Sequence, residues 1–133
     1  MIAGIGTDIV AVARLEQALA RHGERLARRV LAAPELDGFY QAGQDPAYLA
    51  RRFAAKEAAS KALGTGFSQG VTLRDLEVIH NEWGKPGLRL HRQARSRAEA
   101  LGVVQTALSL SDERAYAVAF VVMVTDALGR EER

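Results

Sequence analysis

The chain has 133 residues, 48% of them apolar and 26% charged, and a formal net charge of +2. That is enough for one domain with a buried core and too little for two, so a single domain over residues 1–133 is expected. The absence of cysteine excludes a disulfide framework, a thiolate nucleophile and a Cys-ligated zinc, and with no membrane-length apolar run and no secretory leader the expected setting is cytoplasmic.

In chain order, residues 2–10 read as a strand with Ile5, Thr7 and Ile9 on one face and Gly4, Gly6 and Asp8 on the other. The two glycines leave the second face bare, open to a close backbone or a ligand. A helix follows with Val12, Leu15, Leu19 and Leu26 inward, and Gly23 is a candidate break. Pro34 suits the first turn of a helix near residues 35–41. Gly43 and Pro46 mark a loop, and a longer helix starting near Asp45 stops at Gly64-Thr65-Gly66. A strand at 76–81, a turn at 82–87 and a return strand at 88–90 come next, with Trp83 expected to pack. A helix at 93–101 stops at Gly102, and strands at 106–110 and 116–124 form a hairpin around residues 111–114. Ala115, Ala117 and Ala119 give the last strand a face on which a helix can lie close. The tail, residues 126–133, is expected to fray. The pattern is α+β: an antiparallel sheet packed by one long helix and several shorter ones.

Residues 52–66, RFAAKEAASKALGTG, carry the chemistry. Neighbours three and four apart share a helix face, so Phe53, Glu57, Ser60, Lys61 and Gly64 form one stripe. The plain reading of Glu57 and Lys61, at i and i+4, is a surface ion pair worth roughly 0.2–0.5 kcal/mol. For Asp8 it is an N-cap on the following helix. The alternative is that Asp8 and Glu57 meet at a cleft. Two carboxylates then suit Mg²⁺, which takes one or two protein carboxylates and fills its shell with water and phosphate oxygens. Three scattered histidines offer no zinc spacing. The glycines of Gly4-Ile5-Gly6 and of 64–72 complete neither a dinucleotide fingerprint nor a P-loop. With aromatics at 6%, a base-stacking nucleic-acid surface is not expected.

Four segments together resemble the holo-acyl-carrier-protein synthases, small phosphopantetheinyl transferases: residues 4–10 (GIGTDIV), 52–66, 81–86 (NEWGKP) and 108–113 (LSLSDE). The resemblance runs essentially end to end. It implies a phosphopantetheinyl-transferase-like fold and an Mg²⁺ held by Asp8 and Glu57 on the diphosphate of coenzyme A. A serine of an apo acyl carrier protein attacks the phosphorus nearer the pantetheine, and 3′,5′-ADP leaves. In that scheme Glu57 is also the general base, directly or through water, and Lys61 reaches the same phosphates as a point charge. Arg52 holds the ribose 3′-phosphate, while Ser60, Gly64, Gly66, Lys85 and Pro86 line the nucleotide.

The resemblance further implies a homotrimer with sites between subunits. Some members carry histidine where this chain has Asp112, which is therefore left out of the site. Arg14 and Arg21, opposite the apolar face of the first helix, make a basic stripe suited to the acidic carrier, whereas Arg25 and Arg28 lie beyond the break at Gly23. No membrane partner is expected. A non-catalytic module binding coenzyme A or a nucleotide diphosphate is the alternative from another class, and a nucleic-acid binder a weaker one.

Overall fold

A computed structural model describes residues 1–126; of the expected frayed tail, residues 127–133 lie outside the described residues. In chain order it holds β1 (Ile2–Ala11), α1 (Val12–His22), α2 (Glu24–Val30), α3 (Ala33–Gln41), α4 (Pro46–Leu63), β2 (Leu76–His80), β3 (Pro86–Leu90), α5 (Arg92–Ala100), β4 (Val103–Asp112) and β5 (Tyr116–Thr125). A short 3-10 turn, Leu73–Asp75, precedes β2. The strands form two antiparallel sheets rather than one: β1-β5-β4 and β2-β3.

Helix α4 is the spine. Its start is set by Asp45, whose Oδ1 accepts from Ala47 N at 3.0 Å, with Pro46 in the first turn, and its end by Gly64 in the left-handed conformation. At about 27 Å it crosses the three-stranded sheet. Its inner face is alanine: Ala54, Ala55, Ala58, Ala59 and Ala62 are all buried. The facing strands are equally small. A Cβ on Gly4 would overlap the carbonyl of Ala62, and one on Gly6 the carbonyl of Ala58. The bare glycine face of β1 is thus where the backbone of α4 lies. β5 adds Ala117, Ala119, Val121 and Met123 to the same interior, all buried at period two.

The other face of this sheet is apolar and open. Ile5 pairs with Val122 and Ile9 with Val118 across β1 and β5. Ile5, Ile9, Tyr116, Val118 and Phe120 stand exposed.

On the far side of α4, the α2–α3 segment and β2-β3 enclose a buried charge network. Lys56, wholly buried, donates to Glu35 Oε1 at 2.7 Å, Leu76 O at 2.8 Å and Leu73 O at 3.1 Å. Glu35 also accepts from Ala32 N (2.9 Å), Val78 N (3.2 Å) and Arg52 Nη1 (3.3 Å). Burial pushes the Lys56 ammonium down from the usual lysine range, with the Glu35 carboxylate opposing. Every ionised atom here has a partner, which is the condition on which such a network is tolerated.

Differences from the sequence reading are local. The terminal strands are longer than periodicity indicates, because β5 pairs on both edges, with β1 and β4. β3 begins at Pro86, opposite His80. Trp83 does not pack: it stands 85% exposed at the tip of the β2–β3 turn, where Asn81 Oδ1 accepts from Trp83 N and Lys85 N. Nor does Asp8 cap α1, whose N-cap is Ala11 with no side-chain cap. The break at Gly23 is present, at φ 59° and ψ −140°.

Candidate active site

Asp8 and Glu57 do come together. β1 carries Asp8 on its inner face, where the register sets it opposite Ala119, and α4 brings Glu57 across from it. Lys61, one turn on, does not pair with Glu57. Its Nζ donates to Thr7 O at 3.0 Å and to Asp8 Oδ1 at 3.3 Å, bridging helix to strand. The surface ion pair along the helix is therefore not formed.

Glu57 is left half-buried, and among the described residues its carboxylate has no hydrogen-bond or ion-pair partner. Burial, and then the charge of Asp8, push its carboxyl above the ordinary range, while Lys61 and Arg14 pull it down. Two carboxylates facing each other with incomplete compensation favour a proton or a cation between them. No group of three or more His, Cys, Asp or Glu side chains that could hold a metal occurs among the described residues. The donor set is two carboxylates and open space, which suits a hard octahedral ion that keeps its waters and suits zinc or calcium poorly.

Arg14 joins this cluster, with its guanidinium carbon 5.6 Å from the centroid of the Phe53 ring. It was expected only on the basic stripe. Phe53 and Glu57 share a face of α4 by spacing, but that α1 crosses there is not written in either helix. Gly64 and Gly66 continue the chain from Lys61, with Gly66 N donating to Ser60 O at 3.1 Å. Ser60 itself is turned inward. It is 1% exposed and its hydroxyl donates to Glu57 O at 2.7 Å, so it is not presented to the cleft.

The remaining expected residues lie elsewhere. Arg52 precedes Glu57 by five residues, about 140° around the helix, and points the other way. Its Nη1 donates to Val78 O at 2.8 Å, its Nη2 lies 3.5 Å from His80 Nδ1, and its guanidinium carbon sits 4.4 Å from the Tyr48 ring centroid. His80 pairs with Pro86 across β2-β3, so Arg52, Lys85 and Pro86 belong to one side of the molecule. His80, not anticipated from the sequence, is pushed below the usual histidine range by burial and then by Arg52 and Arg51. Within one chain, Arg52 is not brought to Asp8 and Glu57. Asp112 is held by Arg51 at 3.4 Å, and Arg21 stands exposed on α1.

Residues 4–121 match the family profile of the 4′-phosphopantetheinyl transferase superfamily. The holo-[acyl-carrier-protein] synthase of Halorhodospira halophila (strain DSM 244 / SL1) is 71% identical over 125 residues, covering 94% of this chain and 99% of that one. The crystal structure of holo-[acyl-carrier-protein] synthase from Neisseria meningitidis superposes with a TM-score of 0.87 at 43% identity, over 94% of this chain and all of that one. A holo-(acyl-carrier-protein) synthase from Bacillus anthracis str. Ames, in complex with CoA (3′,5′-ADP), gives a TM-score of 0.78 at 34% identity, over 95% and 99% of the two chains.

Proposed function

The chain belongs to the holo-[acyl-carrier-protein] synthases of the 4′-phosphopantetheinyl transferase superfamily, and from that membership we propose that it transfers the 4′-phosphopantetheine of coenzyme A to a serine of an apo acyl carrier protein. The observation that carries the reading is the meeting of Asp8, Glu57 and Lys61, with the Glu57 carboxylate unpartnered among the described residues.

Asp8 and Glu57 are the residues that would hold Mg²⁺. When bound, the ion neutralises the diphosphate and the charge that develops on the leaving oxygen. Lys61 lies beside Asp8 and supplies a further positive charge to the phosphates. Glu57, with its carboxyl above the ordinary range, accepts the proton of the carrier serine hydroxyl. The serine oxygen forms its bond to the phosphorus nearer the pantetheine, and the phosphorus–oxygen bond to 3′,5′-ADP breaks with its electron pair on the ADP.

Arg52, Lys85 and Pro86 face away from Asp8 in their own chain. They serve the nucleotide of a neighbouring protomer in a homotrimer, with Arg52 on the ribose 3′-phosphate. Two observations support this: the separation of the two groups around α4, and the apolar outer face of β1-β5, which a second copy would cover. Arg14 and Arg21 face the acidic carrier, and the setting is cytoplasmic fatty acid biosynthesis.

Purified protein is mixed with coenzyme A, Mg²⁺ and an apo carrier protein, and the carrier is weighed by mass spectrometry. A pantetheine adduct is expected. Coenzyme A binding with no adduct would make the chain a binding module instead.

A further inference from the structure

Two neighbouring arginines of α4, Arg51 and Arg52, act on a histidine to which the proposed reaction gives no role. His80 ends β2, opposite Pro86 of the return strand, and its Nδ1 lies 3.5 Å from Arg52 Nη2. Arg52 has little freedom there. Its Nη1 donates to Val78 O and to Glu35 Oε2, the Tyr48 ring lies against its guanidinium, and its side chain is 13% exposed. His80 is itself exposed. Both residues line a cavity of about 410 Å³ between α3, α4 and the β2-β3 sheet. An anion that meets Arg52 Nη2 from this cavity therefore arrives beside His80 Nδ1.

The contact also sets the proton on the ring. A guanidinium has no acceptor, so Nδ1 offers Arg52 its lone pair and the neutral ring keeps its hydrogen on Nε2. The acids that line the cavity or pair with these arginines are engaged elsewhere: Glu35 with Lys56 and Arg52, Glu77 with His91 and Arg89, and Asp112 with Arg51. Tyr48 adds no charge, since its hydroxyl donates to Glu35 O and burial pushes it above the usual range. Burial, and then Arg52 and Arg51, hold the His80 imidazolium in disfavour. A phosphate dianion beside Nδ1 would reverse that balance, because an opposite charge within ~4–6 Å favours the protonated ring. Nδ1–H and Nη2–H would then both donate to the phosphate, where before one faced the other.

We propose that His80 reads the ribose 3′-phosphate by taking up a proton on Nδ1 as that phosphate binds, so that the protein separates coenzyme A from dephospho-coenzyme A more strongly in mild acid than in mild alkali. The proposal rests on the reading that Arg52 holds the same phosphate. The proton comes from solvent. A phosphomonoester, with a second pKa of about 6, gives up its own proton in a cationic site, so net uptake marks the histidine and not the ligand. The preference for the 3′-phosphate declines as pH rises through the value that His80 reaches in the complex. Dephospho-coenzyme A brings no charge to Nδ1 and leaves the ring neutral.

Isothermal titration of the assembled protein with each compound tests this, at the ordinary histidine value of ~pH 6.5 and about two units above it. Two buffers of different ionisation enthalpy at each pH count the protons. The unaltered protein is expected to take up protons with coenzyme A and not with dephospho-coenzyme A, and its preference for coenzyme A should shrink threefold or more at the higher pH. His80→Asn should lose the uptake and bind coenzyme A with the weaker, pH-independent preference. His80→Lys, which carries a fixed charge, should restore the preference and keep it at the higher pH. The comparison of the two compounds on the unaltered protein stands without either variant. The proposal falls, and the reading of Arg52 survives, if Arg52→Gln loses the preference while His80→Asn keeps both the preference and the uptake. Equal binding of the two compounds by the unaltered protein at both pH values overturns the reading of Arg52 and the proposal together. Uptake of the same size with dephospho-coenzyme A places the proton on another group and overturns the proposal alone.

Discussion

Lys56 and Glu57 are neighbours in sequence and opposites in circumstance. Lys56 points into the far side of α4, wholly buried, with Glu35 and two carbonyls around its ammonium. Glu57 points toward β1, half-buried, its carboxylate facing that of Asp8 and bonded to nothing among the described residues. The first charge is satisfied and holds α3, α4 and β2 together. The second is held in readiness. One helix thus carries a scaffold on one face and the proposed reactive carboxylate on the other, and the difference is legible as the presence or absence of partners.

The sharpest way to separate the two faces is to neutralise each. Asp8→Asn and Glu57→Gln keep shape and remove charge beside β1, so Mg²⁺-dependent transfer is expected to fall by several powers of ten while the thermal midpoint does not fall. Near-normal transfer at low Mg²⁺ by either variant would remove its carboxylate from the metal. Lys56→Met should do the reverse. It leaves Glu35 buried without its ammonium, at a cost of about 3–5 kcal/mol in urea unfolding. A cost under ~1 kcal/mol would mean the buried pair is not structural.

Lys61 tests the boundary between the faces. Its side chain is 52% exposed, so its bond to Asp8 contributes well under ~1 kcal/mol to stability. Lys61→Met should therefore weaken coenzyme A binding in a titration much more than it lowers the melting midpoint. Unchanged affinity would leave Lys61 a mere tie between helix and strand.

The smallest effect is in pH. The folded Glu57 carboxyl sits above its unfolded value, so the folded state binds the proton more tightly. Its contribution to stability then declines as pH rises from the ordinary carboxyl range through the raised folded pKa, and stays low above it. Melts of the unaltered protein and Glu57→Gln across that window should converge at acid pH and separate above it, with Glu57→Gln the more stable. Parallel curves would mean that burial and Asp8 place no strain on Glu57.

Most of the fold was readable because small residues announce close packing. Gly4 and Gly6 predicted a close approach to the first strand and the alanines of the last strand a helix lying close, and Asp45-Pro46 and Gly64 bounded the long helix. The meeting of Asp8 with Glu57 was one of the alternatives the spacing left open, and the family resemblance selected it. What spacing could not supply was direction between elements. Lys61 had a partner at i−4 on its own helix and took one on β1 instead, because Asp8 and the Thr7 carbonyl were nearer. Trp83 was expected to pack by type, yet it stands exposed at the tip of the turn that joins β2 to β3. Arg52 stood in the same motif as Glu57, and only helical rotation shows that they face apart.

That separation makes the composite site the central claim, and subunit mixing tests it most directly. Glu57→Gln and Arg52→Gln are purified separately, each with low transfer activity, then dissociated, mixed and reassembled. If sites form between protomers, some interfaces of the mixed assembly pair an intact Glu57 from one chain with an intact Arg52 from the other, and transfer returns well above the sum of the two variants. If reassembled mixtures stay at that sum, Glu57 and Arg52 do not act across an interface, and the composite site is wrong.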